Sequence, residues 1–149
     1  GPPAAGVREG ERSELAKALR RVGSLARSRA LIVVVSDFRG PRDWVSALRS
    51  LAARHGVLAL EVIDPREQEL PDVGELVLAD PETGRQLRVD TRSARLRERF
   101  AAEAAAERAD LAHELRRSGA DHVVLSTEGE WLRPLARFLG NRTRGRPRR

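Results

Sequence analysis

Leu31-Ile32-Val33-Val34-Val35-Ser36-Asp37-Phe38 decides how the rest of the chain is read. Five apolar residues in succession, mostly β-branched, predict a strand buried on both faces, the kind found in a parallel sheet flanked by helices. The run ends in the polar pair Ser36-Asp37, and Arg39-Gly40-Pro41 cannot continue it. Groups just past the carboxyl end of such a strand line the crevice where open α/β sheets bind ligands. Asp37 is therefore the first candidate for function. The plainer role open to it is to orient the loop into the next helix.

Upstream, Leu15, Ala18, Leu19, Val22, Leu25 and Ala26 make a helical stripe over residues 13–26. Downstream, Asp43 is placed to cap a second helix that buries Trp44, Val45, Leu48, Leu51 and Ala52 and stops at His55-Gly56. Residues 57–63 form a second apolar strand, again ending in an aspartate, Asp64, with Pro65 behind it. Strand, helix and strand at this spacing make a right-handed βαβ unit. An acidic, proline-bounded loop follows over residues 64–74. Residues 75–79 and 86–90 then flank Asp80-Pro81-Glu82-Thr83-Gly84, a hairpin signal in which Gly84 supplies a left-handed position.

Residues 93–117 read as a long Ala-rich helix ended by Gly119, and residues 122–127 as a third strand with a hydroxylic end, Ser126-Thr127. Thr127 and Glu130 have capping-box spacing for a last helix burying Trp131, Leu135, Phe138 and Leu139, although Pro134 favours a start nearer Trp131. The fold expected is α/β: a short parallel sheet flanked by helices with an added β-hairpin, Rossmann-like in outline. Residues 1–10 read as a linker in which Gly1-Pro2 resembles the scar of tag removal, 11–140 as the domain, and 141–149 as a basic disordered tail.

Composition narrows the chemistry. The chain has 149 residues, 40% apolar but only 3% aromatic, enough for one packed domain built on Leu, Val and Ala. Its net charge of +6 is carried almost wholly by arginine, since Lys17 is the single lysine. No cysteine is present, which removes disulfides, thiol catalysis and cysteine metal sites. No apolar run is long enough for a membrane span, and the expected location is cytoplasmic, with a parent protein that could be membrane-anchored. His55, His113 and His122 follow no metal-ligand or catalytic spacing, and no phosphate loop or nucleophile elbow occurs.

Three strand ends are expected on one edge, carrying Ser36-Asp37, Asp64 and Ser126-Thr127. Oxygen ligands of this kind suit Mg²⁺, so a Mg²⁺-dependent hydrolase or phosphotransfer domain using Asp37 and Asp64 is one reading. Nothing supplies it with a nucleophile or base. Another is weak, sequence-independent nucleic-acid binding through the arginine-rich tail. Arg66 and Glu67 join the candidates as charged neighbours of Asp64 in a solvated loop.

The block Val35-Ser36-Asp37-Phe38, the run from Asp64-Pro65-Arg66-Glu67 through Glu69-Leu70-Pro71-Asp72-Val73-Gly74, the hairpin Asp80-Pro81-Glu82-Thr83-Gly84 and Leu125-Ser126-Thr127 together resemble the domain of unknown function 58 family. That family resembles von Willebrand factor type A domains and is typically encoded beside MoxR-type AAA+ ATPases. The resemblance implies a non-enzymatic protein-interaction or adaptor role in assembling or activating other proteins, with no cofactor. It covers only the carboxyl half of a type A domain. Ser36-Asp37 matches the third loop of the metal-ion-dependent adhesion site, while the Asp-x-Ser-x-Ser loop and the second-loop threonine have no counterpart. The metal site is then a one-loop remnant. In a complete type A domain the strand at residues 31–36 is central, so here one edge of it has lost its partners. The resemblance therefore implies an edge covered either by the same strand of a second copy or by the helix over residues 11–27.

Overall fold

The computed structural model describes residues 12–80 and 83–144. The expectations for residues 1–10, for Pro81-Glu82 at the hairpin tip and for the end of the basic tail lie outside the described residues.

The elements come in the order α1 (Glu14–Leu25), β1 (Leu31–Ser36), α2 (Val45–Arg54), β2 (Gly56–Ile63), a single 3₁₀ turn (Pro65–Glu67), β3 (Glu75–Ala79), β4 (Gln86–Asp90), α3 (Ala94–Arg117), β5 (Asp121–Ser126) and α4 (Leu132–Arg144). Among the described residues β1, β2 and β5 form a parallel sheet in that order, and β3 and β4 pair separately as an antiparallel ribbon. α4 continues to Arg144, four residues into the segment read as tail.

Register decides which side chains share a face. Val34 stands opposite Ala59, and Ala59 opposite His122; one residue along, Val33 stands opposite Leu58 and Leu60 opposite Val123. Because side chains alternate along a strand, one sheet face carries Val34, Val57 and Ala59. It packs against Ala16 and Leu19 of α1, Leu48 and Leu51 of α2, and Leu111 and Leu115 of α3. The other face carries Leu58, Leu60, Val123 and Leu125, covered by Leu135 and Phe138 of α4. Both right-handed crossovers advance the same way across the sheet, so α2 and α3 lie on the same side. The order of these strands therefore does not reverse, and the crevice of a topological switch point does not form between them.

Several expectations need correcting. β1 is not buried on both faces: Val34 is buried, but Leu31, Val33 and Val35 are 50, 49 and 63% exposed, because α4 lies over β2 and β5 and leaves the β1 end of that face open. The doubly buried strand is β2, whose residues 57–61 are all buried. α1 does not fold over the free edge; its buried residues join the main core beside α2. Asp43 does not cap α2. Trp44 holds the cap position with no side-chain bond, and Trp44 is buried edge-on against Phe38, ring centroids 5.3 Å apart. The Thr127–Glu130 capping box does not form, since α4 begins only at Leu132. Trp131 and Leu139, expected inside, are exposed. Elsewhere the local signals hold. Gly84 and Gly119 take the positive φ that their turns require, +69° and +90°.

Candidate functional site

β1 and β2 both end beside the middle of α3, and the space between them is a cleft of about 410 Å³. Its walls combine apolar side chains (Phe38, Phe100, Leu111) with charged ones, and its deepest acid is Glu61. This volume is within the range of small-ligand sites.

Of the sequence-predicted candidates, Asp37 and Glu67 line this cleft. Asp37 is turned into its own loop, where Oδ1 accepts the Arg39 N–H at 3.0 Å. Ser36 likewise accepts the Phe38 N–H through Oγ at 3.0 Å. Glu67 is engaged by the Arg39 guanidinium. Asp64 and Arg66 form a fork of their own, with Arg66 Nε and Nη2 donating to the two carboxylate oxygens at 3.1 and 2.9 Å and its backbone N–H adding a third bond at 3.0 Å. The Arg66 side-chain bonds, and then its backbone bond, hold the Asp64 carboxyl below the usual aspartate range. Ser126 Oγ accepts the Glu128 N–H at 3.1 Å, and the Thr127 N–H donates to the Ile63 carbonyl at 2.8 Å. The three strand ends lie at one end of the sheet, and Ser36, Asp37, Asp64 and Ser126 each accept a hydrogen bond from their own loop.

Ser36 and Asp37 accept hydrogen bonds from their own loop, and no group of three metal-ligating side chains gathers among the described residues.

Glu61 was missed by sequence reasoning. Its side chain is 3% exposed, and the His122 Nε2 lies 3.4 Å from its Oε2. No hydrogen bond joins them, and the His122 Nε2 is buried without a hydrogen-bond partner. The signal was present in the sequence: an acid inside the run Val57-Leu58-Ala59-Leu60-Glu61-Val62-Ile63 has no solvent side once the strand is central. Arg108 of α3 also lines the cleft, with its Nε buried and unpaired. Phe38, in the cleft wall, is held at φ +52°, a left-handed conformation rare for a non-glycine residue. His55, which ends α2 as read, is also buried and accepts the Ala30 N–H at 3.2 Å through Nδ1, which joins the end of α2 to the start of β1.

Comparison with known sequences places the chain among proteins without an assigned activity. A family model described as "Protein of unknown function DUF58" matches residues 4–110. Uncharacterized protein Rv1480 of Mycobacterium tuberculosis and Uncharacterized protein Mb1516 of Mycobacterium bovis are each 46% identical over 138 residues, spanning 91% of this chain and 43% of theirs. Uncharacterized protein MAV169 of Mycobacterium avium is 46% identical over 138 residues, 91% of this chain and 80% of its own length. The chain thus spans less than half the length of the first two relatives. No solved structure matches it.

Proposed function

The chain belongs to the DUF58 family, and on that premise we propose that it is a non-enzymatic protein-interaction module of adaptor type whose docking element is the open side of β1. The observation that carries this reading is the exposure of Leu31, Val33 and Val35 on a strand that pairs only with β2 among the described residues. A free edge leaves a row of backbone N–H and C=O groups to be satisfied, and an added strand satisfies them while its side chains cover the apolar row. A second support is the loop geometry: Asp37 and Asp64, the pair that a Mg²⁺-dependent reaction would use, are each turned back into their own loops.

The partner class implied by the family resemblance is a cytoplasmic MoxR-type AAA+ ATPase, and the fold is read as the carboxyl half of a von Willebrand factor type A-like domain. A second copy of the chain competes for the same edge, because two β1 strands can pair across a two-fold axis. Among the described residues no helix is long and apolar enough to cross a membrane.

The test uses a purified MoxR-type ATPase immobilised on a biosensor, with the chain titrated over it and sedimentation velocity run in parallel. Saturable binding that falls at least tenfold in Val33→Lys and Val35→Lys, both at exposed positions, is the expected result. Binding unchanged by both substitutions moves the interface elsewhere. No saturable binding, together with a compact monomer at high concentration, ends the proposal.

A further inference from the structure

We propose that the cleft between α3 and the carboxyl ends of β1 and β2 binds a guanidinium group carried on a short apolar stem, with Glu61 as its anchor. This site lies on the sheet face opposite the exposed Leu31, Val33 and Val35, and it stands independently of what docks on β1.

The first reason is the state of Glu61. A carboxylate buried to 98% ordinarily accepts hydrogen bonds from the protein, because losing water without replacement is costly. Glu61 accepts none. Its ion-pair contact with His122 is 3.4 Å long, and it borders an open cleft of about 410 Å³. A ligand entering that space meets a buried acceptor with unused lone pairs.

The second reason is the charge of the walls. Five carboxylates and three guanidinium groups line the cleft; the Arg39–Glu67 pair accounts for one of each and Arg99 engages Glu103, which leaves Asp37, Glu61 and Glu107 against Arg42 and Arg108. What is left favours a cation, although the whole chain is basic.

The third reason selects the cation. Phe38, Phe100 and Leu111 all line the cleft. A flat, weakly hydrated guanidinium tolerates aromatic surroundings better than a strongly hydrated ammonium, and its planar fork of N–H donors matches a carboxylate bidentately. Phe38, held at φ +52°, is buried against Trp44, so Phe100 is the more accessible of the two rings.

Two sources can present this group: an arginine side chain on a protein, or a free arginine-like metabolite. Arg108, with its buried and unpaired Nε, is available to the α-carboxylate that only the free compound carries.

The experiment titrates N-acetyl-arginine amide, N-acetyl-citrulline amide, N-acetyl-lysine amide and free arginine into the isotope-labelled chain and follows backbone amide shifts. Expected are saturable shifts confined to residues 37–42, 61–68 and 100–111 with the arginine amide. Binding should be at least tenfold weaker for citrulline, the neutral isostere, and weaker for lysine. Glu61→Gln should cost a further tenfold or more while its circular dichroism stays native. Should that variant fail to fold, Phe100→Ala, in the partly exposed wall, is expected to weaken the arginine amide several-fold. Tighter binding of free arginine assigns the source to a metabolite, and equal or tighter binding of the capped amide assigns it to a protein side chain. Equal affinity for citrulline, unchanged affinity in folded Glu61→Gln, or the absence of saturable shifts overturns the proposal.

Discussion

Ser13 and Asp43, thirty residues apart in sequence, make a two-point contact: the Ser13 N–H donates to Asp43 Oδ2 at 2.6 Å and the Ser13 hydroxyl to Oδ1 at 2.6 Å. The same Ser13 Oγ accepts the Ala16 N–H at 3.2 Å and so caps α1. Asp43 thereby fixes the start of α1 against the approach to α2. The Ser13 side-chain bond, and then its backbone bond, hold the Asp43 carboxyl below its ordinary range.

An acid-sensitive component of stability follows from this contact. A carboxyl whose folded pKa is depressed binds its proton more readily in the unfolded chain. Its stabilisation is complete above the unfolded value and is lost as pH falls through the lower, folded one. Asp64 and Asp90, depressed by Arg66 and Arg92 respectively, act in the same direction. Thermal melts should therefore be flat near neutrality and decline below about pH 4. Asp43→Asn should lower the midpoint by a few degrees at neutral pH and shallow the acid decline. An acid decline identical to wild type would show that the Ser13 contact contributes nothing to it.

Thr91 should prove to be the fastening of the hairpin. It is fully buried, its hydroxyl donates to the Gly74 carbonyl and accepts the Val73 N–H at 3.0 Å, and its own carbonyl accepts from Arg97 Nη1 at 2.6 Å. Thr91→Val keeps the shape and removes both hydroxyl bonds, leaving the Val73 N–H only its longer bond to the Pro71 carbonyl at 3.2 Å, at a cost of roughly 0.5–1.5 kcal/mol for each bond lost. Thr91→Ser should retain most of the stability. Amide exchange at Val73 is the readout, and equal protection in the two variants would refute the assignment.

Phe38 offers an inverted ranking. Removing its buried ring costs about 3–5 kcal/mol in either small variant. Alanine keeps the left-handed strain, worth roughly 1–2 kcal/mol, whereas glycine relieves it and loses about 0.5–1 kcal/mol through its freer unfolded chain. Phe38→Gly should thus be at least as stable as Phe38→Ala in chemical denaturation. A clearly less stable glycine variant would mean that the backbone relaxes once the ring is gone.

Glu61 should be a stability liability. Glu61→Leu removes a buried carboxylate that accepts no hydrogen bond among the described residues, and it should raise stability by roughly 1–3 kcal/mol. The same variant should no longer respond to N-acetyl-arginine amide, an exchange of function for stability. A lower melting temperature would show instead that the His122 contact supports the fold.

The order and kind of the elements were legible in the sequence because they depend on local patterns. Apolar runs of strand length, helical stripes, and glycines at positions 84 and 119 with the required φ act within a few residues. The candidate site was legible only in part. Asp37 and Glu67 reach the cleft, while Asp64, Arg66, Ser126 and Thr127 are held in loops beside it. Whether Asp43 caps its own helix or bonds to Ser13 depends on which group approaches across thirty residues, and no local pattern carries that information.

What the sequence by itself determined is a helix-flanked parallel sheet with β1 and β2 as neighbours, since a βαβ unit of this length closes in one hand. What only the tertiary structure decided is which of two similar apolar runs lies at the centre. Strand order makes β2 the doubly covered strand, which buries Glu61, and leaves β1 with Leu31, Val33 and Val35 facing outward. The runs at 31–35 and 57–63 are alike in hydrophobicity; burial is set by the neighbours that arrive on each face, and those come from distant parts of the chain.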